Sequence, residues 1–215
     1  MDKSYAITGA AGFIGRHTIA ALIQNGQKVI AIDVPGKLIT PDGFVEDLTR
    51  LGYNFGASTV SDLITVRPCD LLHDFQPDEV LDGSDVVIHY AGIFSGVIVP
   101  DVIQKIRNTN GPVSIYDPRT VRDYTCVIDT VKAVLFLIAQ GSTGTFNIGT
   151  GVGSKNQDVY KLIGRLLSKG ELEFIIESDK EDFLVPDIGK INGLGWKPSV
   201  DLESGLEMTV RQFFT

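Results

Sequence analysis

Three glycines and one aspartate near the start of the chain have the types and the spacing needed to hold a diphosphate and its adjoining sugar. Gly9, Gly12 and Gly15 recur every three residues, and Asp33 lies eighteen residues beyond the last of them. Glycine permits a tight turn at Gly9, room for a pyrophosphate at Gly12 and close helix packing at Gly15. A carboxylate at position 33 accepts hydrogen bonds from ribose hydroxyls and repels a 2′-phosphate, which favours NAD over NADP.

The segments around these residues predict a βαβ unit. An apolar strand, residues 5–8, leads into the glycines, and a second apolar strand, residues 29–33, ends in Asp33. Between them lies a helix beginning near Gly12, whose free N–H groups and positive dipole end would face the phosphates. The apolar face of this helix consists of Ile14, Ile19, Ala20, Leu22 and Ile23. Glycine-rich turns are also common in surface loops, but the order strand, glycines, helix, strand and acid predicts dinucleotide binding.

Composition excludes several classes of partner. The 215 residues carry a net charge of −8, which argues against binding to nucleic acid or to an anionic membrane. Cys69 and Cys126 lack metal-ligand spacing, so we expect reduced thiols and no metal site. The N-terminus lacks the pattern of a signal peptide, and the longest apolar run, residues 133–139, is too short to span a bilayer. We therefore expect a soluble cytoplasmic protein.

Further elements follow Asp33 in alternation. A long polar connection, residues 35–62, contains a short helix at 45–51, and Gly52, Asn54 and Gly56 are predicted to lie in a loop. A third strand is predicted at residues 63–67 and a helix at 76–81. Residues 85–92 form a fourth strand that is apolar on both faces, which predicts a central position in a parallel sheet.

Four motifs of this half resemble the extended short-chain dehydrogenase/reductases of the NAD-dependent epimerase/dehydratase family. They are Thr8–Gly15, Asp33, Cys69–Leu71 and His89–Gly92, in the family's order and spacing. The family includes UDP-galactose 4-epimerase and sugar-nucleotide dehydratases. The resemblance implies an NAD cofactor, with Asp70 at its adenine and residues 89–92 along its phosphates and nicotinamide ribose. The implied cofactor-binding residues are Gly9, Ala11, Gly12, Phe13, Ile14, Gly15, Asp33, Asp70, Leu71, Tyr90, Ala91 and Gly92.

The residues themselves leave two of these roles open. Asp70 can equally cap the turn that follows it, as short acidic side chains often do. His89 invites a catalytic role, but on a buried strand between Ile88 and Tyr90 we expect a hydrogen-bonded structural imidazole.

The C-terminal half carries the same resemblance. Residues 97–106 resemble the family's substrate-lobe helix, and 121–129 its "RDF" strand and turn. A helix at 130–140, a "YNIGTG"-like strand at 145–151 and a helix at 158–167 follow. The final motifs resemble the family's closing run, at 186–190, 194–198 and 202–206. Nearly the whole chain is therefore covered.

Arg122 is the residue of this half with a role implied by the resemblance, contact with nucleotide-sugar phosphates. A planar and permanently charged guanidinium can grip phosphate oxygens bidentately. The sequence equally allows Arg122 to pair with Asp123 or Asp129 at the surface. The segment Glu177–Asp182, where relatives often carry a further arginine, has four acids and only Lys180, so it predicts a solvated loop and a less favourable field for a diphosphate.

The family's catalytic segment is not present in this sequence. Relatives carry a Tyr-x-x-x-Lys pair in a block that here would lie between Phe94 and Gly96, and a block of ~30 residues or more is missing. None of the six tyrosines has a lysine four residues later. In the family that tyrosine exchanges a proton with the sugar hydroxyl while hydride passes to or from NAD, and the lysine lowers its pKa. The catalytic residues of this chain are therefore unknown.

Three explanations of this gap remain open. The chain is a shortened relative that binds nucleotides without reacting them, an enzyme that uses other residues, or part of a longer chain whose internal segment is not in this sequence. Tyr90 and Tyr124 are candidates to replace the missing tyrosine, although aromatic residues in such strands usually belong to the core.

These observations predict an α/β fold, a shortened Rossmann-like doubly wound parallel sheet with a small mixed C-terminal substrate lobe. Residues 1–95 form the NAD-binding domain, with strand order 3-2-1-4 and the cofactor at the carboxyl ends of strands one and four. Residues 96–215 form the C-terminal part, of which residues 120–150 pack back on the first domain. The strand at 145–148 is expected to pair closer to strand four than in relatives.

The resemblance implies an NAD-dependent epimerase/dehydratase that acts on a nucleotide sugar through transient hydride transfer. The alternative is a non-catalytic NAD-binding sensor or partner protein. The sugar, the ring carbon and the oligomeric state stay open.

Overall fold

In the computed structural model, which describes residues 3–37, 40–90 and 98–212, the chain divides into two units, Met1–Phe94 and Ser95–Thr215. The first unit alternates strands with helices, as its apolar periodicity predicts. Its elements are β1 (Ser4–Thr8), α1 (Phe13–Gln24), β2 (Lys28–Asp33), α2 (Pro41–Arg50), α3 (Ala57–Leu63), β3 (Ile64–Pro68), α4 (Pro77–Val80) and β4 (Val86–His89).

The strands of the first unit form one parallel sheet in the order β3-β2-β1-β4. This order confirms the predicted topology and the Rossmann-like α/β fold. Thr8 is level with Ile32 on one side and with His89 on the other, so the strands end together. Residues that follow the strands therefore meet at the carboxyl edge of the sheet, where ligands bind in folds of this type.

Apolar side chains cover both faces of this sheet. Helices α1, α2 and α3 contact one another on one side, and α1 buries the predicted face of Ile19, Ala20, Leu22 and Ile23. The strand residues Ala6, Ile30 and Ile32 point the other way, because neighbouring residues of a strand alternate between faces. They form a second cluster with Cys69, Leu71, Val80 and Leu81.

Three local predictions for this unit were wrong. Residues 57–62, expected to belong to the long polar connection, and Leu63, expected to begin the third strand, form α3, whose buried residue is Val60. The helix predicted at 45–51 begins earlier, at Pro41, because Thr40 accepts a hydrogen bond from the Gly43 amide and Pro41 suits the first turn. Among the described strands β4 is last in order rather than central, and Val87 is 49% exposed.

The second unit is mixed, as predicted for the C-terminal lobe. Its elements are α5 (Ile98–Asn108), β5 (Val113–Tyr116), β6 (Val121–Asp123), α6 (Val127–Ala139), β7 (Gly153–Lys155), α7 (Asn156–Leu166), β8 (Phe174–Ser178), β9 (Phe183–Leu184), α8 (Gly189–Asn192) and α9 (Leu202–Gln212). Strands β5 and β8 pair in parallel, and β6 lies between antiparallel β7 and parallel β9. Helices α5, α7 and α9 share a buried core that includes Ile103, Ile163 and Leu206.

The strand predicted at 145–148 is absent from the structure, and so is its expected pairing near β4. This segment is instead irregular and is joined to the closing motif by two hydrogen bonds, one from its own Asn147 side chain and one from the Lys190 side chain. Asn147 donates to the Asp187 carbonyl at 3.0 Å, and Lys190 donates to the Thr145 carbonyl at 2.8 Å. The Thr145 carbonyl thus has a side-chain donor in place of a strand partner.

Candidate functional site

The glycine-rich turn between β1 and α1 has the geometry that its sequence predicts. Gly9 adopts a φ of +69°, which only glycine takes readily, and its carbonyl accepts the Gly12 amide at 3.0 Å. A Cβ atom on Gly12 would lie 3.0 Å from the Gly9 oxygen, and one on Gly15 only 2.2 Å from the same atom. Gly15 is thus required by packing against the loop itself. Gly12 leaves the space in front of the turn, here called its mouth, free of side chains.

The first turn of α1 presents its amides at this mouth. The cap residue is Gly12, which offers no side-chain hydrogen bond, and the first turn contains no acid. The first amides of a helix have no partner within the helix, and together with the dipole they favour an anion. Phe13 is 43% exposed, Ile14 is half-buried and Gly15 is buried. The backbone amides of these three predicted residues are therefore the groups of this turn suited to a phosphate.

Asp33 lies at the end of β2 and is tied to the glycine turn. One of its carboxylate oxygens accepts the Ala11 amide at 3.0 Å, and the other accepts the Val34 amide at 2.8 Å. The Asp33 carbonyl also accepts the Cys69 amide at 2.8 Å, which places the end of β3 beside it. Gly9, Ala11 and Asp33, predicted separately from the sequence, are brought together at one edge of the sheet.

Asp70, directly after β3, caps the turn that follows it. It accepts the Leu72 amide at 2.9 Å and lies 3.0 Å from Nδ1 of His73. The hydrogen bond with His73 holds the pKa of Asp70 below its usual value and raises the pKa of His73. Leu71 packs against the second apolar cluster. The capping interpretation is thereby confirmed, while contact of Asp70 or Leu71 with an adenine stays a prediction.

His89 ends β4 and Tyr90 follows it at the same edge. The Tyr90 amide donates to the Thr8 carbonyl at 3.0 Å, and the Tyr90 hydroxyl accepts from Thr18 of α1 at 3.1 Å. Burial raises the pKa of Tyr90, which makes it a poor base at neutral pH. His89 lies 2.7 Å from the Thr8 hydroxyl through Nδ1, so its predicted hydrogen bond is present. The expectation that His89 is buried was wrong, because its strand is last in the described sheet. Ala91 and Gly92 lie outside the described residues.

Arg122, in the second unit, pairs with neither of the two acids that its sequence neighbourhood suggested. Nη2 of Arg122 lies 2.6 Å from the Asp182 carboxylate, and Nη1 donates to the Val121 carbonyl at 3.0 Å. Asp123 instead accepts the Thr150 and Gly151 amides at 2.8 and 2.7 Å. The partner of Arg122 is sixty residues away in the chain, in a segment predicted to be a solvated loop, so the sequence contained no local signal for it.

Asp129, the other expected partner, is buried and organises a turn before α9. Its carboxylate accepts the Ser199 amide and hydroxyl at 2.8 and 2.7 Å and the Val200 amide at 2.8 Å. These bonds satisfy the charge inside the protein, as a buried carboxylate requires.

Tyr124 is not arranged as a general base either. Its hydroxyl donates to the Asn156 side chain at 2.7 Å, and burial raises its pKa to about 12. In the parts of the chain that the structure describes, no three His, Cys, Asp or Glu side chains are close enough to hold a metal. Within the same ranges every helix is too short or too polar to cross a bilayer.

A parallel sheet in the order β3-β2-β1-β4, with a glycine turn and an acid at its carboxyl edge, defines the first unit as a Rossmann-type nucleotide-binding fold. Residues 5–99 match the model of the NAD dependent epimerase/dehydratase family. This match supports the resemblance of this part of the chain to the extended short-chain dehydrogenase/reductases and agrees with the expected NAD cofactor.

Two curated proteins are similar to about half of this chain. A Methanocaldococcus jannaschii protein provisionally assigned as a UDP-glucose 4-epimerase is 28% identical over 115 residues, which are 53% of this chain and 37% of that protein. The dTDP-glucose 4,6-dehydratase of Xanthomonas campestris is 27% identical over 137 residues, 57% of this chain and 39% of that protein. The matches thus span well under half the length of these relatives.

Among solved structures, a UDP-N-acetylglucosamine 4-epimerase of Methanobrevibacter ruminantium, in complex with UDP-N-acetylmuramic acid, is similar with a TM-score of 0.80 and 16% identity. That alignment covers 99% of this chain and 98% of the epimerase. A UDP-glucose 4-epimerase of Bifidobacterium longum, in complex with NAD⁺ and UDP, gives a TM-score of 0.75 at 15% identity, over 98% of each chain. At these identities the likeness establishes the fold.

Proposed function

We propose that this protein binds NAD at the carboxyl edge of the β3-β2-β1-β4 sheet and acts on a nucleotide sugar by transient hydride transfer. The observation that carries the proposal is the bond between Asp33 and the Ala11 amide, which joins the ribose-binding acid to the phosphate-binding turn. The open mouth at Gly12 and the uncapped first turn of α1 fit a diphosphate. Bound NAD would supply the hydride acceptor and donor.

The remaining roles belong to side chains of this chain. Asp33 would accept hydrogen bonds from the adenosine ribose, and Asp70 and Leu71 would border the adenine. Tyr90, Ala91 and Gly92 would line the phosphates and the nicotinamide ribose. Arg122 would contact the phosphates of the sugar nucleotide, for which its charge and planar geometry are suited.

Titration calorimetry of NAD into the protein and its Asp33→Ala variant tests the cofactor site. We expect one NAD to bind per chain. We expect the variant to bind NAD about tenfold or more weakly, because hydrogen bonds to a charged group usually contribute that much to affinity. Asp85→Ala is the matched control, because Asp85 accepts the Ser4 amide at 2.9 Å at the opposite edge of the same sheet. Equal NAD affinity in all three proteins, or no binding, contradicts the proposal.

A second candidate function is a non-catalytic NAD-binding sensor or partner protein. Two observations favour it: the 215 residues contain no Tyr-x-x-x-Lys, and the raised pKa values of Tyr90 and Tyr124 argue against either as a replacement base. Incubation of NAD-loaded protein with UDP-glucose and dTDP-glucose separates the two. Formation of NADH or of an altered sugar supports the enzyme, and NAD binding without either supports the sensor.

A further inference from the structure

The segment Ser178–Asp182, here called the acidic clasp, is fixed against the strand and turn that carry Arg122. Asp117 holds it from one side: its carboxylate accepts the Ser178 hydroxyl and, at 2.9 Å, the Lys180 amide. Asp117 itself has a φ of +49°, a conformation that aspartate tolerates better than most residues. The Val121 amide donates to the Asp182 carbonyl at 2.8 Å. The acidic clasp is thus exposed to solvent, as its charge suggested, and is also fixed by hydrogen bonds to its neighbours.

Two arginines, Arg119 in the turn before β6 and Arg122 in β6, face the carboxylates of the acidic clasp. Arg119 Nε lies 2.9 Å from Asp179, and its Nη1 lies 3.3 Å from Glu181. Arg122 lies 2.6 Å from Asp182, and the two side chains are 31% and 61% exposed. A carboxylate bonded to a guanidinium nitrogen takes the same position and charge that a phosphate oxygen would take. The acidic clasp therefore occupies the partners that a phosphate needs.

We propose that Asp182 is an internal competitor for Arg122, so that a phosphate-bearing ligand binds at this arginine only by displacing the Asp182 carboxylate. This inference rests on the proposed role of Arg122 and adds its regulation: Asp182 sets how strongly the second unit attracts a diphosphate. The exposure of Asp182 allows the exchange, because the released carboxylate returns to water at little cost. The bonds from Arg122 and from the Phe183 amide hold the pKa of Asp182 low, so mild acid does not release Arg122.

Calorimetry with UDP-glucose on the full chain and its Asp182→Asn variant tests the competition. UDP-glucose is a suitable probe because its diphosphate diester does not titrate near neutral pH. We expect Asp182→Asn to bind UDP-glucose about three- to tenfold more tightly, as removal of one exposed ion pair and one nearby negative charge predicts. The amide oxygen of asparagine can still accept the Phe183 amide, which bonds Asp182 at 2.8 Å.

Asp179→Asn is the matched control, since it removes the same charge from the acidic clasp but faces Arg119. We expect less than a twofold change from it, and we expect the gain of Asp182→Asn to vanish when Arg122 is replaced by alanine. Unchanged or weaker UDP-glucose binding in Asp182→Asn overturns the inference, and Asp182→Ser repeats the comparison if the first variant does not fold. NAD titration of the same samples reports separately on the first unit, so a loss of NAD binding contradicts the proposed function and not this competition.

Discussion

At the scale of single residues, two histidines differ in pKa because one is buried and the other is exposed beside a carboxylate. His17 of α1 is buried, with Nδ1 2.7 Å from the Tyr53 hydroxyl and the Phe13 ring at 4.8 Å. His73 is exposed beside Asp70. Burial lowers the pKa of His17, whereas the bond with Asp70 raises that of His73.

We predict that His17 makes the fold acid-sensitive. Because its pKa is lower in the folded than in the unfolded protein, the unfolded state takes up the proton first as pH falls through about 6.5, and stability drops until the folded-state pKa is reached. Urea unfolding between pH 8 and pH 5 should show this decline, and His17→Asn should remove it. His73→Asn is the control with the opposite sign, since its contribution is present at low pH and is lost as pH rises through its raised pKa.

Arg122 is the residue whose function depends most on charge. We predict that Arg122→Ala weakens UDP-glucose binding about threefold or more, whereas Arg211→Ala, which removes a 77% exposed arginine from α9, leaves it unchanged. Calorimetry with UDP-glucose measures both. Equal losses of UDP-glucose affinity in the two variants would indicate that removal of any positive charge weakens binding, and not that Arg122 contacts a phosphate.

At the scale of elements, the turn between β1 and α1 combines two glycines with separable tasks. A methyl group on Gly15 would meet the Gly9 oxygen at 2.2 Å and the Ala10 backbone at 3.0 Å, both of them fixed main-chain atoms. A methyl on Gly12 would meet the same oxygen only at 3.0 Å. Gly15 thus sets the position of α1, whereas Gly12 leaves room for a ligand.

We therefore predict that Gly15→Ala lowers the free energy of unfolding by about 2–3 kcal/mol, the usual effect of overpacking. Gly12→Ala should cost about 1 kcal/mol or less in stability while it reduces NAD affinity, because its methyl group enters the phosphate-binding mouth. Urea unfolding and NAD calorimetry on both variants give the comparison. A Gly12→Ala protein that binds NAD normally would show that the mouth of the turn does not hold the diphosphate.

The turn before α9 depends on one buried carboxylate. We predict that Asp129→Ala lowers the free energy of unfolding by about 2–4 kcal/mol, because it leaves the Ser199 and Val200 amides without their acceptor inside the protein. Asp201→Ala, which removes an exposed side-chain cap from the Ser204 amide at 2.8 Å, should have a clearly smaller effect. Urea unfolding compares the two variants.

At the scale of the whole molecule, the sequence contains the residues expected to bind NAD but lacks the pair that transfers a proton in the family. The 215 residues contain the complete glycine turn and its acid, but no Tyr-x-x-x-Lys. The matched relatives are aligned over only 37% and 39% of their length.

We expect the NAD-loaded 215-residue chain to form NADH transiently with UDP-glucose or dTDP-glucose, as the proposed hydride transfer requires, and to use a proton acceptor other than a Tyr-x-x-x-Lys tyrosine at the sugar hydroxyl. Absorbance spectroscopy of the NAD-loaded protein measures this. The intact mass of the protein from its source explains why Tyr-x-x-x-Lys is missing. A mass of 23.3 kDa indicates a naturally short chain, and a larger mass indicates an additional segment.

The sequence by itself determined the βαβ order, the glycine turn, the acid at position 33 and the family resemblance. These are local patterns, in which strand period, turn chemistry and helix start depend on neighbouring residues. The order β3-β2-β1-β4 also followed from the sequence, because handed connections restrict how such units assemble.

Tertiary structure alone decided the partners of charged groups and the exposure of edge elements. Arg122 meets Asp182 and Asp129 meets Ser199 across sixty to seventy residues, so no spacing rule predicts either pair. Val87 and His89 are exposed because β4 has a strand on only one side among the described residues, although its apolar sequence suits a central strand. Burial and pairing depend on what the fold places next to a residue, and a single sequence does not specify those neighbours.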